Sequence, residues 1–344
     1  MKIMLNIDKN TVDYLVTDTM VQEVENLLEH PYVKENELIN EMVSRKIERI
    51  YFVACGSPLC AAQTSAMVAQ KYSALTCLAY SGWDFLDQPP FVLDSKTLVI
   101  GISHYGKTEE VAQSVKLARS KGAMTLGITR DKSGSLLSEE AEFILDYRGE
   151  SIWEMHLVSG YSIVGRYIQL ISYHKEVESI LNDLPKLPAV LKRLVDSEEA
   201  KAKELGIFAS KYPFIYTVAS GNCNPLAYKE GIITMLEFTW THGCVLNAAE
   251  FRHGPLEVVE EGVPYVFLLG NDESRHTAQR ALNFVKKLTS DVIVFDVNDL
   301  STDLHPMLTP MTLFVPLEYF YYYLSIAKDH NPDDRRYYGG LMEY

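Results

Sequence analysis

Short apolar runs alternate along most of this chain with longer segments whose apolar residues recur at helical spacing, a pattern that predicts β-strands joined by amphipathic helices. The first 45 residues read as helical, with Met20, Val24, Leu27 and Leu28 at helical spacing and a break at His30-Pro31. Strands are predicted over 50–54, 76–80, 97–102, 124–128 and 141–147, with helices over 59–72 and 107–121. A helical stretch over 151–205 follows and carries a linker at Leu184-Pro185-Lys186-Leu187-Pro188. The strand pattern then restarts over 214–219, 263–270, 292–297 and 311–315, with helices over 226–242 and 274–287. Such alternation means βαβ units on parallel sheets with helices on both faces.

The restart is a repeat. Ile50-Tyr51-Phe52-Val53-Ala54-Cys55-Gly56-Ser57 and Ile215-Tyr216-Thr217-Val218-Ala219-Ser220-Gly221-Asn222 match in strand, small-residue turn and following helix, 165 positions apart. That separation is too long for a solenoid and suits a duplicated domain. The expected organisation is a helical segment over 1–45, an α/β domain over 46–180, a helical linker over 181–205, a second α/β domain over 206–330 and a tail over 331–344. At 344 residues the chain is long enough for two cores.

Net charge and cysteine usage narrow the partners. A formal charge of -14, with no Lys/Arg-rich run, excludes nucleic acid and acidic membrane surfaces as partners. An anionic small molecule can still be held by helix N-termini and backbone amides. Cys55, Cys60, Cys77, Cys223 and Cys244 are odd in number and lie in or beside apolar runs, as buried free thiols do in a reducing compartment. Met1-Lys2-Ile3 runs into Asp8, Lys9 and Asp13 without an apolar signal region, and no stretch approaches about 18 uninterrupted apolar residues, so a cytoplasmic location is expected.

Parallel sheets place ligands outside the carboxyl ends of their strands, which directs attention to the turns after them. Cys55-Gly56-Ser57-Pro58 closes one strand, with the proline at a plausible first helical position. Ser103-His104-Tyr105-Gly106-Lys107-Thr108 closes another, and its hydroxyls, glycine and helix-start amides suit a phosphate; simple helix capping is the ordinary alternative. Glu237, flanked by Met235, Leu236 and Phe238, has an apolar helical setting that raises a carboxyl pKa toward that of a usable base, or else a hydrogen-bonded structural role. Sixteen positions on, His253 precedes Gly254-Pro255 on a stiffened loop, where a histidine can relay protons or simply face solvent. Glu250 and Glu257 flank it, yet the Gly-Pro interrupts the spacing a His/Glu metal pair prefers, so no metal site is expected. His242 is a further possible substrate contact. Dinucleotide, Walker A, nucleophile-elbow and Cys-x-x-Cys motifs are all missing from the sequence.

Taken together, Cys55-Gly56-Ser57, Ser103-x-x-Gly-x-Thr108, Glu237 and Glu250-x-x-His253-Gly254-Pro255-Leu256 resemble the sugar isomerase (SIS) family, in the tandem arrangement of the isomerase half of glucosamine-6-phosphate synthase. Segments 51–58, 105–111, 238–244 and 335–340 look like the sugar-phosphate deglycases of that family. The resemblance covers nearly the whole chain and implies two SIS domains, each a doubly wound, flavodoxin-like three-layer sheet, with no metal or organic cofactor. It implies that Ser57, Ser103 and Thr108 bind a phosphate, that Glu237 transfers the proton, and that His253 assists ring opening. Gly56, His104, Tyr105, Lys107, Ser220 and Tyr338 become further candidate substrate contacts, with the tail closing the site. In the synthase the histidine reaches in from a neighbouring subunit, which implies a homo-oligomer here, at least a dimer with shared sites. Two departures stand out: the synthase pattern has serine at Tyr105 and lysine at Thr234, and the second counts against amination of fructose 6-phosphate.

The implied chemistry is a reversed Amadori rearrangement of a sugar-phosphate amine adduct, fructoselysine 6-phosphate, to glucose 6-phosphate and lysine. Other readings stay open: a deglycase for glucoselysine or fructose-asparagine 6-phosphate, an aldose-ketose isomerase, or a non-catalytic sugar-phosphate sensor. A sensor would have no need of Glu237 and His253 together.

Overall fold

The structure is a computed structural model that describes residues 4–12, 16–34 and 37–337. The chain forms two compact units, one of Thr19–Pro188 and one that joins Met1–Asp18 to Ala189–Tyr344.

The first unit opens with the helices α1 (Asp18–Leu28), α2 (Pro31–Lys34) and α3 (Glu37–Ser44), broken at His30-Pro31 as the sequence predicts. Its sheet has five parallel strands in the order β2-β1-β3-β4-β5: β1 (Arg49–Ala54), β2 (Thr76–Tyr80), β3 (Thr97–Ile102), β4 (Met124–Thr129) and β5 (Phe143–Asp146). Between them run α4 (Ser57–Tyr72), α5 (Gly82–Asp87), α6 (Glu109–Ser120) and α7 (Leu136–Glu140), and then α8 (Ile152–Ile171) and α9 (Lys175–Asp183). Every residue of β3 and β4 is buried, as strands covered on both faces must be. One face packs Tyr51, Val53 and Val99 against Phe85 of α5 and Ala118 of α6. Beside α4, α8 comes so close that a Cβ on Gly160 would lie 2.2 Å from the Ser65 hydroxyl.

The second unit contains α10 (Leu187–Ser197) and α11 (Glu199–Ala209), then four parallel strands in the order β7-β6-β8-β9. These are β6 (Phe214–Ala219), β7 (His242–Asn247), β8 (Tyr265–Leu269) and β9 (Val292–Asp296). Phe267, Leu269 and Val218 pack with Ala278, Leu282 and Val285 of α14 (Arg275–Val285). Against α11 lies α15 (Thr309–Ala327), close enough that a Cβ on Gly206 would meet the Phe320 carbonyl at 2.6 Å. The start of the chain belongs to this unit: Met4, Leu5, Ile7 and Val12 cover Tyr322, Tyr323 and Ile326, and the Tyr322 hydroxyl donates to the Ile7 carbonyl at 2.7 Å.

Two expected elements are corrected. The strand over 311–315 is part of α15, all of whose side chains are buried. A helix buried on every side is apolar all round, so its sequence carries no 3.6-residue stripe to separate it from a strand. The helix over 226–242 is three pieces: α12 (Asn224–Tyr228), a π-helical stretch over Lys229–Thr234, and α13 (Met235–Thr239). It stops at Trp240, whose backbone is left-handed (φ 49°), and β7 follows at once, a strand the periodicity did not predict. Among the described residues no helix is long and apolar enough to cross a membrane.

Candidate active site

In the first sheet the chain leaves β1 toward β2 and β3 toward β4, in opposite directions, so right-handed crossovers put α4 and α6 on opposite faces and open a corner between β1 and β3. Two turns line it. After β1, Gly56 is left-handed (φ 64°) and starts α4, and a Cβ there would meet nothing within 4 Å. Ser57 follows it half-buried at the helix start. After β3, the buried Ser103 hydroxyl lies 2.9 Å from Thr108 Oγ1 and accepts a long bond from the Thr108 amide at 3.4 Å. Gly106 (φ 62°) lets this loop fold under Ser135, where a Cβ would lie 2.4 Å from the Ser135 hydroxyl. Thr108 stands at the N-cap of α6 but makes no side-chain cap bond, which leaves its hydroxyl for another partner.

The other residues of this loop divide by exposure. Tyr105 and Lys107 face solvent, and the Arg130 guanidinium sits 5.8 Å from the Tyr105 ring centroid. The side chain of His104 turns into the core: its Nδ1 lies 2.6 Å from the Tyr147 hydroxyl, which in turn lies 3.0 Å from His156 Nε2. Burial, aided by Arg130, pushes the His104 pKa down to about 4, and burial takes His156 to about 3, so both imidazoles are neutral at physiological pH. The anchored ring ties down the loop that carries Ser103. Cys55 donates to Glu110 Oε1 at 3.3 Å, and burial raises its thiol pKa to about 11, which leaves it unreactive.

In the second unit Glu237 lies on α13, and the apolar setting expected for it is corrected. Its carboxylate accepts a hydrogen bond from Arg335 Nε at 3.0 Å and keeps a quarter of its side-chain surface exposed. The residues after α15 form a strap over this helix end. Arg335 lies 4.3 Å over the Phe238 ring, Arg336 lies 4.0 Å over Trp240, and His330 meets Trp240 edge-on at 4.0 Å. The Ser325 hydroxyl donates to the Phe238 carbonyl at 2.7 Å, closing the helix end. These contacts hold the strained left-handed Trp240 in place.

His253 is exposed on a loop fixed at its base. Asn247 accepts from the Ala249 amide at 2.9 Å, Phe251 is buried, and Gly254 (φ 126°) begins the short helix Pro255–Val258. His242, at the start of β7, is exposed as well. Ser220 is buried after β6, where its hydroxyl donates to the Ser274 carbonyl at 3.0 Å, while Tyr338 lies outside the described residues. Among the described residues no three His, Cys, Asp or Glu side chains group as a metal site would require.

The SIS domain model covers residues 44–174. Fructoselysine 6-phosphate deglycase of Escherichia coli K12 is 55% identical over 341 residues, covering 99% of this chain and all of that protein. The chain belongs to the SIS-domain deglycase family. A second relative, fructosamine deglycase FrlB of Bacillus subtilis, is 31% identical, covering 87% of this chain and 94% of its own length. A Bacillus subtilis crystal structure, provisionally described as a phosphosugar isomerase, superposes with a TM-score of 0.80 at 30% identity, covering 95% of this chain and 99% of that one. In this member of the SIS-domain deglycases, sequence reasoning missed Arg335 as the partner of Glu237 and Glu150 as the partner of both Arg130 and His104. A signal for the first lay in Arg335-Arg336, two adjacent cations in a tail already suspected of closing a site.

Proposed function

We propose that this chain cleaves fructoselysine 6-phosphate to glucose 6-phosphate and lysine. The observation that carries this reading is the full-length identity to a relative bearing that activity in its name, on a chain with Glu237 and His253 in place. Ser57, Ser103 and Thr108 grip the phosphate at the open corner over Gly56. The 2-1-3-4-5 strand order there is that of flavodoxin-like three-layer folds, which bind anionic ligands at this switch point.

With the ring opened to the ketoamine, Glu237 takes a proton from C1, and the electron pair forms the C1–C2 double bond of an enaminol. Protonation at C2 shifts the double bond to C1 and nitrogen and gives the aldimine of glucose 6-phosphate with lysine. Water adds to C1, and breaking the C1–N bond releases the amine. The substrate's own carbonyl and nitrogen delocalise the charge, so the residues need only place and move protons. Arg335 aims the carboxylate through its hydrogen bond, and residues 331–337 carry that arginine to the end of α13.

His253 assists ring opening. Its exposure on a stiff loop suits delivery to a neighbouring copy, so the working unit is at least a dimer. Five free thiols and an acidic surface suit a reducing cytoplasm. The deciding experiment assays the purified protein against a panel of 6-phosphorylated amine adducts and follows glucose 6-phosphate. Turnover of fructoselysine 6-phosphate above the asparagine and glucoselysine adducts is expected, and no release from any adduct would refute the reading.

A further inference from the structure

The two sheets end in matching corners with different contents. Gly56 (φ 64°) follows β1 and Gly221 (φ 57°) follows β6, each turning the chain into a helical segment. Hydroxyls come from the loop after the adjacent strand: Ser103 and Thr108 after β3, Ser274 after β8. Over Gly56 the space is open. Over Gly221 it is filled, since a Cβ there would lie 2.2 Å from Ser274 Oγ and 2.5 Å from Asp272 Oδ2.

Asp272 is held there by donors. Its Oδ2 accepts from the Asn222 amide at 3.3 Å, and its Oδ1 from the Ser274 amide at 2.9 Å and the Ser274 hydroxyl at 2.5 Å. The same hydroxyl lies 3.0 Å from Ser220 Oγ. Backbone amides from a glycine-led turn, joined by loop hydroxyls, are the donor set that suits a phosphate.

We propose that Asp272 sits as a built-in anion in the seat that the first corner leaves open for phosphate, so that each chain takes up phosphate or a phosphate monoester at one corner. The carboxylate is tethered, so it loses no translational freedom in occupying the seat, and an external dianion would have to enter against a like charge. Only the count of one per wild-type chain rests on the function proposed above; the filled second corner stands on its own geometry.

The test uses full-length protein and inorganic phosphate as the probe. Asp272→Gly empties the seat, and equilibrium dialysis is expected to find one more phosphate per chain than in the wild type. At phosphate ten times the dissociation constant, the folding constant of the variant should rise roughly elevenfold beyond any wild-type response, read as an upward shift in Tm. Asp272→Asn removes the charge but keeps the space filled, and should gain no phosphate. Asp272→Ser takes the place of the glycine variant if that fails to fold. An unchanged count in the emptied variants overturns the proposal, and so does an equal gain in Asp272→Asn, because loss of charge alone would then explain it. Wild type binding none while Asp272→Gly binds one would remove the first-corner assignment and support this one.

Discussion

Replacing Ser103 and Thr108 together with alanine separates phosphate binding from helix capping, because the two roles predict opposite balances of kinetics and stability. Each hydroxyl donating to a phosphate oxygen contributes about 1.5–3 kcal/mol. In the free protein the two hydroxyls hold each other at 2.9 Å, so about 1 kcal/mol of that is already realised without substrate. The net kinetic penalty is then about 2–5 kcal/mol, or roughly thirty- to five-thousand-fold in kcat/KM, carried mainly by KM because the phosphate is gripped equally in ground and transition states.

The folding penalty should be smaller. Thr108 makes no side-chain cap bond, and the Ser103 hydroxyl receives only a 3.4 Å contact from the Thr108 amide, so about 0.5–1 kcal/mol of stability is at stake. The assay follows glucose 6-phosphate release from fructoselysine 6-phosphate, with unphosphorylated fructoselysine as the control and urea denaturation for stability. The kinetic loss should vanish on the unphosphorylated substrate. An unchanged KM with a stability loss of about 1–2 kcal/mol would make the loop a helix cap and end its assignment to phosphate.

Glu237→Gln should retain substrate binding and lose turnover by several orders of magnitude in steady-state assays; near-normal turnover would remove it from the mechanism. Ending the chain after His330 removes Arg335 and Arg336 from Glu237 and Trp240, so kcat/KM should fall well beyond any change in urea midpoint. The buried Lys229 sits between Glu230, at 2.7 Å, and Glu318, and burial raises both carboxyl pKa values, Glu318 to about 8. With folded values above the unfolded 4.5, the stability these groups confer is present below about pH 4.5 and declines as pH rises through 8. Lys229→Met should therefore cost about 3–5 kcal/mol at pH 8 and less at pH 5, where the glutamates take up protons; equal losses in urea titrations at both pH values would refute this. Protein treated with a chelator should keep its deglycase activity, and loss reversed by a divalent ion would revive a metal role.

Among the described residues, eight of the nine strands and most helices between them are legible because their signals are local: an apolar run, a glycine turn, then a stripe at helical spacing. What failed was decided elsewhere in the chain. For α15 the run over 311–315 fits either element, and only packing against α11 and the first residues of the chain selects the helix. At Glu237 the apolar neighbours Met235, Leu236 and Phe238 suggested a dry carboxyl, but successive residues on a helix point about 100° apart, so neighbours in sequence do not furnish a side chain's surroundings. Arg335 does, from 98 positions away.

The two corners make the same point within one chain. Gly56 and Gly221 were matched from sequence because a left-handed turn after a strand asks for glycine wherever it occurs. Whether such a turn receives a ligand depends on what the loop after the adjacent strand delivers, and that loop lies far along the chain: Asp272 reaches Asn222 from 50 positions away, whereas the loop after β3 offers hydroxyls and no carboxylate to Gly56. The two turns therefore share a backbone geometry while the side chains that leave it open or fill it differ, and a motif search on the turn alone would count two sites where the geometry leaves space for one.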